Sequence, residues 1–270
     1  MARKVRYALI TGCGQGGIGE ALAVEYTRRG IHAIATVLPA EPSEHLSSAG
    51  IAWFPLDVTQ DESIAALKSQ VLELTNGYTM PAIDTDVKAV QKMFDVNVFG
   101  PMRMVHHFHD MLIQSSGTIV NMSSIGGIVP YVYGSSYNAT KAALAHWGNT
   151  LRVEMAPLNV KVVTIISGEV GTNILKNDHG RALPEGSFYS PLAAEFERHV
   201  HRTPATTDRF SFAKRVVDKT ITASPPAWFW TGSQTGVIRF LDMFFPRTVF
   251  DWLFWNMFNL GKLKQSHDAS

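Results

Sequence analysis

Short apolar runs alternate along the chain with longer stretches in which apolar residues recur every three or four positions. Val5 to Ile10 predicts a strand, Ile18, Leu22 and Tyr26 share one face of a helix ending at Gly30, and Ile31 to Leu38 predicts a second strand. Strand, helix and strand in that order make a parallel pair joined by a right-handed crossover. Ala52 to Phe54 predicts a third strand leading into Leu56, Asp57 and Val58. Thr59 and Glu62 have capping-box spacing, so a helix starts there with Ile64, Leu67 and Val71 on one face. The pattern is helical again from Val87 to Ile113. Thr118 to Met122 reads as a buried strand, Ser135 to Met155 as a helix stopped near Pro157, and Val160 to Ile166 as another strand. With no internal repeat or low-complexity linker, residues 1–270 read as one α/β domain: a doubly wound, mostly parallel sheet with helices on both faces.

Composition narrows the function. The chain has 24 basic and 23 acidic residues, a formal charge of +1, which argues against a nucleic-acid partner. Cys13 is the single cysteine, so no intrachain disulfide forms, and it has no zinc-type spacing around it. No apolar stretch reaches the ~20 residues of a spanning helix. A cytoplasmic place is expected, with peripheral attachment to the endoplasmic reticulum or a lipid droplet as the alternative.

Between the first strand and the first helix stands Thr11-Gly12-Cys13-Gly14-Gln15-Gly16-Gly17-Ile18-Gly19. Glycines there let the main chain approach a diphosphate, and the first turn of the helix offers unpaired N–H groups to its charge. An ordinary tight turn is the structural alternative. At the end of the second strand, a carboxylate would bind the ribose of NAD and an arginine the extra phosphate of NADP. Val37 and Leu38 do neither, and the lack of a carboxylate tilts the expectation towards NADP(H) over NAD(H).

Tyr137 and Lys141 lie four apart on a predicted helix and project from the same side. A neighbouring ammonium would bring a phenol closer to its working range, and Ser124, at the end of the preceding strand, could hydrogen-bond a substrate oxygen. Taken one by one, the three could equally be a half-buried aromatic, a solvated lysine and a turn residue.

Together with Leu56-Asp57-Val58, Asn97 in Phe94-Asp95-Val96-Asn97-Val98, Asn121-Met122-Ser123-Ser124 and Tyr137-Asn138-Ala139-Thr140-Lys141, the glycine turn resembles the short-chain dehydrogenase/reductase family, in the family's order over nearly the whole chain. The resemblance implies a Rossmann-type fold and a nicotinamide cofactor. Residue by residue, it implies Tyr137 as proton carrier, Lys141 as phenol activator and ribose ligand, Ser124 as partner of the substrate oxygen, and Asn97 as support of a proton relay. It places Gly12, Gly17, Ile18, Gly19 and Asp57 on the cofactor's adenosine and diphosphate side. Val170 and Thr172, in Gly168-Glu169-Val170-Gly171-Thr172, fall at the nicotinamide carboxamide. Ser167 stands where the family has proline, which predicts a looser turn. The Gly-Gly-Ile-Gly turn, Leu183-Pro184-Glu185-Gly186-Ser187 and Pro225-Pro226-Ala227-Trp228 resemble the fungal acyl-dihydroxyacetone-phosphate reductase-like branch. That likeness implies a lipophilic carbonyl or alcohol, or a secondary-metabolite intermediate.

One family feature is missing. No Asn-Asn-Ala-Gly motif closes a fourth strand between Asp57 and Asn97, so that strand is absent or shortened, with Val71 to Thr75 and the Asn76-Gly77 turn as a short substitute. A central strand lost would leave open edges in the sheet and weaken cofactor affinity first. A family member with impaired cofactor binding, kept as a binding or assembly protein, is therefore the alternative function. Residues 171–205, including Asn177, His179, Gly180, Arg181 and Phe188, read as a substrate loop in which Arg181 could meet a phosphate. His106, His107 and His109 read as surface histidines, not a metal site. Residues 228–260 are dense in Trp and Phe, and read as a C-terminal helix packed on its own core or on a second subunit, with contact to a lipid surface as the alternative.

Overall fold

The computed structural model describes residues 6–59, 79–172 and 180–268. The helix expected from Thr59, the short substitute strand at Val71 to Thr75, and loop residues Asn177 and His179 lie outside the described residues, apart from the first residue of that helix.

The first unit is β1 (Tyr7–Ile10), α1 (Ile18–Arg28), β2 (His32–Val37), α2 (Glu44–Ser48) and β3 (Ala52–Pro55). After it come α3 (Val87–Phe94) and α4 (Gly100–Ser115), joined without a break by a π-helical turn at Asp95–Phe99. The second unit is β4 (Thr118–Ser124), α5 (Ser135–Met155) and β5 (Lys161–Ser167), followed by α6 (Ala193–Val200), α7 (Arg209–Thr220) and β6 (Trp228–Thr231). The chain ends in α8 (Thr235–Phe244), α9 (Val249–Met257) and α10 (Leu260–Asp268).

All strand pairs are parallel, in two three-stranded sheets ordered β1-β2-β3 and β4-β5-β6. Among the described residues no strand bonds the outer edge of β1 or of β4, which is where a fourth strand would join the two sheets. The sheets still share a core. Ala33, Ala35 and Val37 of β2 and Val163 and Ile165 of β5 belong to one apolar cluster with Phe212, Val216 and Val217 of α7. Val162 points the other way, into a cluster with Ile119, Leu151 and Met155, so β5 is covered on both faces, as its run of β-branched residues requires.

Two regions differ from the sequence reading. The substrate loop contains a helix, α6, whose Phe196 and Val200 are buried. The aromatic tail opens with a strand, β6, because Trp-Phe-Trp-Thr is extended by its bulky side chains and then broken at Gly232, where φ is +109°. The rest of the tail splits by face. Phe250, Phe254 and Phe258 turn inward into an apolar cluster with Met80, Met93, Val129 and Tyr133. Phe240, Phe244, Trp252 and Trp255 are exposed.

Candidate active site

Ser124 ends β4 and caps the short helical turn Ile125–Gly127, its Oγ accepting from the Gly126 N–H at 3.0 Å. Its side chain lies beside the Tyr137 ring: a Cβ on Gly126 would stand 3.3 Å from Tyr137 Cε1 and 3.5 Å from Ser124 Oγ. Tyr137 lies in the first turn of α5, packed against the aromatic cluster of the tail. Lys141, one turn further, donates to the Met122 carbonyl at 3.1 Å, and its Nζ stands 5.6 Å from the centre of the Tyr137 ring. The Ser123 hydroxyl donates to the Lys141 carbonyl at 2.8 Å, which ties the helix to the strand that carries Ser124. Three of the four residues expected to be catalytic thus meet at the end of β4.

Asn97 joins them through α5. The π-helical turn re-aims residues that a regular helix would place differently, and Asn97 Nδ2 donates to Thr140 Oγ1 at 3.1 Å. Thr140 in turn donates to the Tyr137 carbonyl at 2.8 Å.

Electrostatics correct one expectation. Burial raises the Tyr137 phenol above its ordinary value, and the neighbouring Ser124 side chain opposes that rise. Burial also pulls the Lys141 ammonium down to about 8. Both charged forms lose water on leaving solvent, and that loss outweighs the stabilisation expected from lysine next to phenol.

The glycine turn sits at the end of β1. Gly19 is required by close approach, since a Cβ there would stand 2.3 Å from the Gly12 carbonyl oxygen. Gly17 caps α1 with no side-chain bond to the first turn, and the Glu20 carboxylate accepts from the Gly16 N–H at 2.7 Å. Burial pushes the Cys13 thiol up to about 12, and it donates to the Ile10 carbonyl, so it offers no thiolate chemistry. Asp57 is buried. One of its oxygens accepts from the Thr59 N–H and hydroxyl, both at 2.8 Å, while the other is buried with no partner among the described residues. An uncapped helix start, a tight glycine turn and an orphaned buried acceptor fit a dinucleotide.

At the nicotinamide side, the turn after β5 is not looser for lacking proline. A Cβ on Gly168 would stand 1.8 Å from the Ser233 carbonyl oxygen, and backbone bonds run from the Gly168 N–H to the Thr231 carbonyl and from the Thr207 N–H to the Glu169 carbonyl. Val170 is buried and pairs with Thr207, and Thr172 follows it half-buried.

Sequence reasoning overlooked several supporting groups. Asn138, next to Tyr137, donates to the Tyr131 carbonyl at 3.1 Å and so fixes the loop before α5. Tyr131, Tyr133, His199 and Phe258 form a set of edge-on and tilted ring contacts beside the site. Burial, aided by Arg202, drives His199 down to about 3, so it stays neutral and serves as part of an apolar wall. A polar residue adjoining Tyr137 was the only signal for Asn138. The ring cluster draws on segments far apart in sequence and left none. Arg181 is half-buried, and His106, His107 and His109 are exposed on α4.

A family model described as short chain dehydrogenase matches residues 6–181. The chain belongs to the short-chain dehydrogenase family. It is 69% identical to Short-chain dehydrogenase srdE of Neurospora crassa over 281 aligned positions, which cover 99% of this chain and 97% of that relative. It is 40% identical to an NADPH-dependent 1-acyldihydroxyacetone phosphate reductase of Schizosaccharomyces pombe, over 69% of this chain and 68% of the other. A short chain dehydrogenase from Burkholderia cenocepacia, solved in complex with NADP, shares the fold with a TM-score of 0.68 at 20% identity, over 93% of this chain and 97% of that one.

The alignment is longer than this chain. The 281 aligned positions with the Neurospora crassa relative exceed the 270 residues of this chain by eleven, so at least that many positions of the relative have no counterpart here. As a member of this family the chain is an oxidoreductase of the nicotinamide-dependent type.

Proposed function

We propose that this dehydrogenase interconverts a lipophilic carbonyl compound and its alcohol, with NADP(H) as cofactor and Tyr137 as the proton carrier. The observation that carries the reading is the placing of Ser124 beside the Tyr137 ring, with the Lys141 amine against the same ring, at the end of β4. When bound, the nicotinamide supplies or accepts the hydride. The chain's own residues hold the substrate oxygen and move the proton. In the reducing direction Ser124 donates to the oxygen as negative charge develops there, and the Tyr137 hydroxyl releases its proton to the same atom. The Lys141 ammonium, held to the Met122 carbonyl, lies where it stabilises the phenolate that remains.

A lipophilic substrate is supported by the apolar wall of Tyr131, Tyr133 and Phe258 beside Tyr137, and by the relative named for a 1-acyldihydroxyacetone phosphate. NADP(H) is supported by that relative's NADPH dependence and by the NADP-bound structure of the same fold. The test is NADPH oxidation with a panel of lipophilic aldehydes and ketones, beside fluorescence titration of the dinucleotide. No saturable dinucleotide binding, with no turnover on any of them, would favour a role in binding or assembly over catalysis.

A further inference from the structure

The strand register puts a charged pair beside the reacting groups. Ser124 and Ser167 are opposite one another on the parallel strands β4 and β5, so the turn after β5 leaves the sheet at the same end as Ser124. Glu169 is the second residue of that turn. Its main chain is held by a bridge to Ser233 and by the Thr207 N–H, which donates to its carbonyl at 3.0 Å. Its carboxylate is not held in this way. Among the described residues its polar partner is Arg202, whose Nη2 stands 3.8 Å from Oε1, beyond hydrogen-bonding distance. Burial raises the Glu169 carboxyl, and the Arg202 charge opposes that rise without cancelling it.

Arg202, just beyond the end of α6, is fixed from its other side. Its Nη1 lies 3.0 Å from the His199 carbonyl oxygen and 3.1 Å from His199 Nε2. His199 is neutral, so its Nε2 accepts from the guanidinium. The guanidinium carbon stands 5.8 Å from the centre of the Tyr131 ring, and the Tyr131 phenol feels both the Arg202 and the Glu169 charge. With Nη1 occupied and Nε buried without a partner, Nη2 is the donor that faces Glu169. Tyr131 ties the pair to the reacting groups: its carbonyl accepts from Asn138, the neighbour of Tyr137, and its ring packs in the cluster that Tyr137 touches. With 25% and 27% of their side-chain surface exposed, Arg202 and Glu169 can be reached by a small molecule.

A donor and an acceptor at this separation suit a group that accepts from one and donates to the other. A hydroxyl does both, and its oxygen can lie within about 2.8 Å of both atoms at once. A phosphate or carboxylate would be drawn to Arg202 but would meet the Glu169 charge, and an ammonium would meet the converse. We infer that Glu169 and Arg202 form a subsite for a hydroxyl of the substrate, which is then a lipophilic carbonyl compound with a hydroxyl remote from the reacting oxygen. This rests on the carbonyl-reducing reading above and adds what orients the substrate. Its apolar body lies along Tyr131, Tyr133 and Phe258, and one polar anchor stands at the end of that wall.

The test is kcat/KM of the full chain for NADPH-dependent reduction of alkyl and aryl aldehydes with a hydroxyl at successive positions, each beside the same aldehyde without it. At the best position the hydroxyl is expected to raise kcat/KM about tenfold or more, mainly through KM, the scale of one hydrogen bond to a charged group. That ratio should fall in Glu169→Gln, which keeps the shape and removes the charge, and vanish in Glu169→Ala, which removes the acceptor. A pair that only clamps the end of α6 to the turn would change both members of each couple alike. An unchanged ratio in the variants therefore overturns the subsite, as does turnover of the plain aldehydes by the unaltered chain with no hydroxylated member preferred. Reduction of none of the aldehydes, with or without a hydroxyl, overturns the reading of the substrate as a lipophilic carbonyl compound and this inference with it.

Discussion

The sheet that carries the glycine turn and the sheet that carries Ser124 have the same number of strands, all parallel, yet they are covered very differently. In β4-β5-β6, the central strand β5 is buried from Val162 to Ser167. In β1-β2-β3, Tyr7 is 67% exposed, Leu9 42% and Phe54 58%, and only β2 approaches the burial of β5. Both sheets feed one core through β2 and β5, so the difference comes from the edges. Neither β1 nor β4 has a strand at its outer edge among the described residues, but β4 leans on α5, whose Ser136, Thr140 and Leu144 are buried. A sheet can lose a neighbour and keep its chemistry if the reacting groups belong to the half that the helices cover. Here Ser124, Tyr137, Lys141 and, through Thr140, Asn97 all belong to it.

The comparison is broken most directly at Tyr137. Tyr137→Phe removes the proton carrier and is expected to lower turnover by roughly 10²- to 10⁴-fold, the range of general acid–base catalysis, with unchanged near-ultraviolet circular dichroism and dinucleotide affinity. Retained turnover in that variant would mean that the covered half does not hold the chemistry.

Next in size is the core of the same half. Ile165 is fully buried at the centre of β5, so Ile165→Ala is expected to cost about 2–5 kcal/mol in urea unfolding. A loss below about 1 kcal/mol would show that the second sheet is loosely packed and that its apparent cover stabilises little.

Much of this was legible in the sequence, and the reason lies in the range of the signals. The α5 span and the parallel strands on either side of it follow from periodicity and from caps, which are local. The glycine turn and the Tyr137–Lys141 spacing are local as well. The ring cluster was not legible, because it brings Tyr131, Tyr133, His199 and Phe258 together from segments far apart in sequence. β6 was missed because Trp228 to Thr231 read as part of an aromatic helix, and only pairing with β5 makes the segment a strand. The phenol's acidity was misjudged because spacing shows which charges are near, and burial was not visible.

Lys141 offers a smaller effect that depends on pH. Its ammonium is held near 8 in the folded chain and near the ordinary lysine value of 10.5 in the unfolded one. Between those values the unfolded chain keeps a proton that the folded chain has released. Stability should therefore rise with pH across that window, by up to about 1.4 kcal/mol per pH unit, and be flat for this group below it. The rise should be absent from Lys141→Met, judged by the difference between the two proteins in urea unfolding from pH 7 to 10. Parallel curves would mean that the amine is solvated and that the covered half is more open than its packing implies.

The smallest expected effect tests the other half. Leu9 in β1 points away from the shared core, whereas Ala8 and Ile10 point into it. If the edge of β1 is open in solution, Leu9→Ala should change stability by no more than about 0.5 kcal/mol, as an exposed position does. It should also leave dinucleotide affinity within twofold of the unaltered chain. A loss approaching that of Ile165→Ala would require Leu9 to be buried by something that occupies the place of the fourth strand. The two half-sheets would then be equally covered, and the contrast drawn from their edges would fail. Because Leu9 and Ile165 are both aliphatic strand residues truncated to the same side chain, the ratio of the two losses reports the difference in cover with the chemistry held constant.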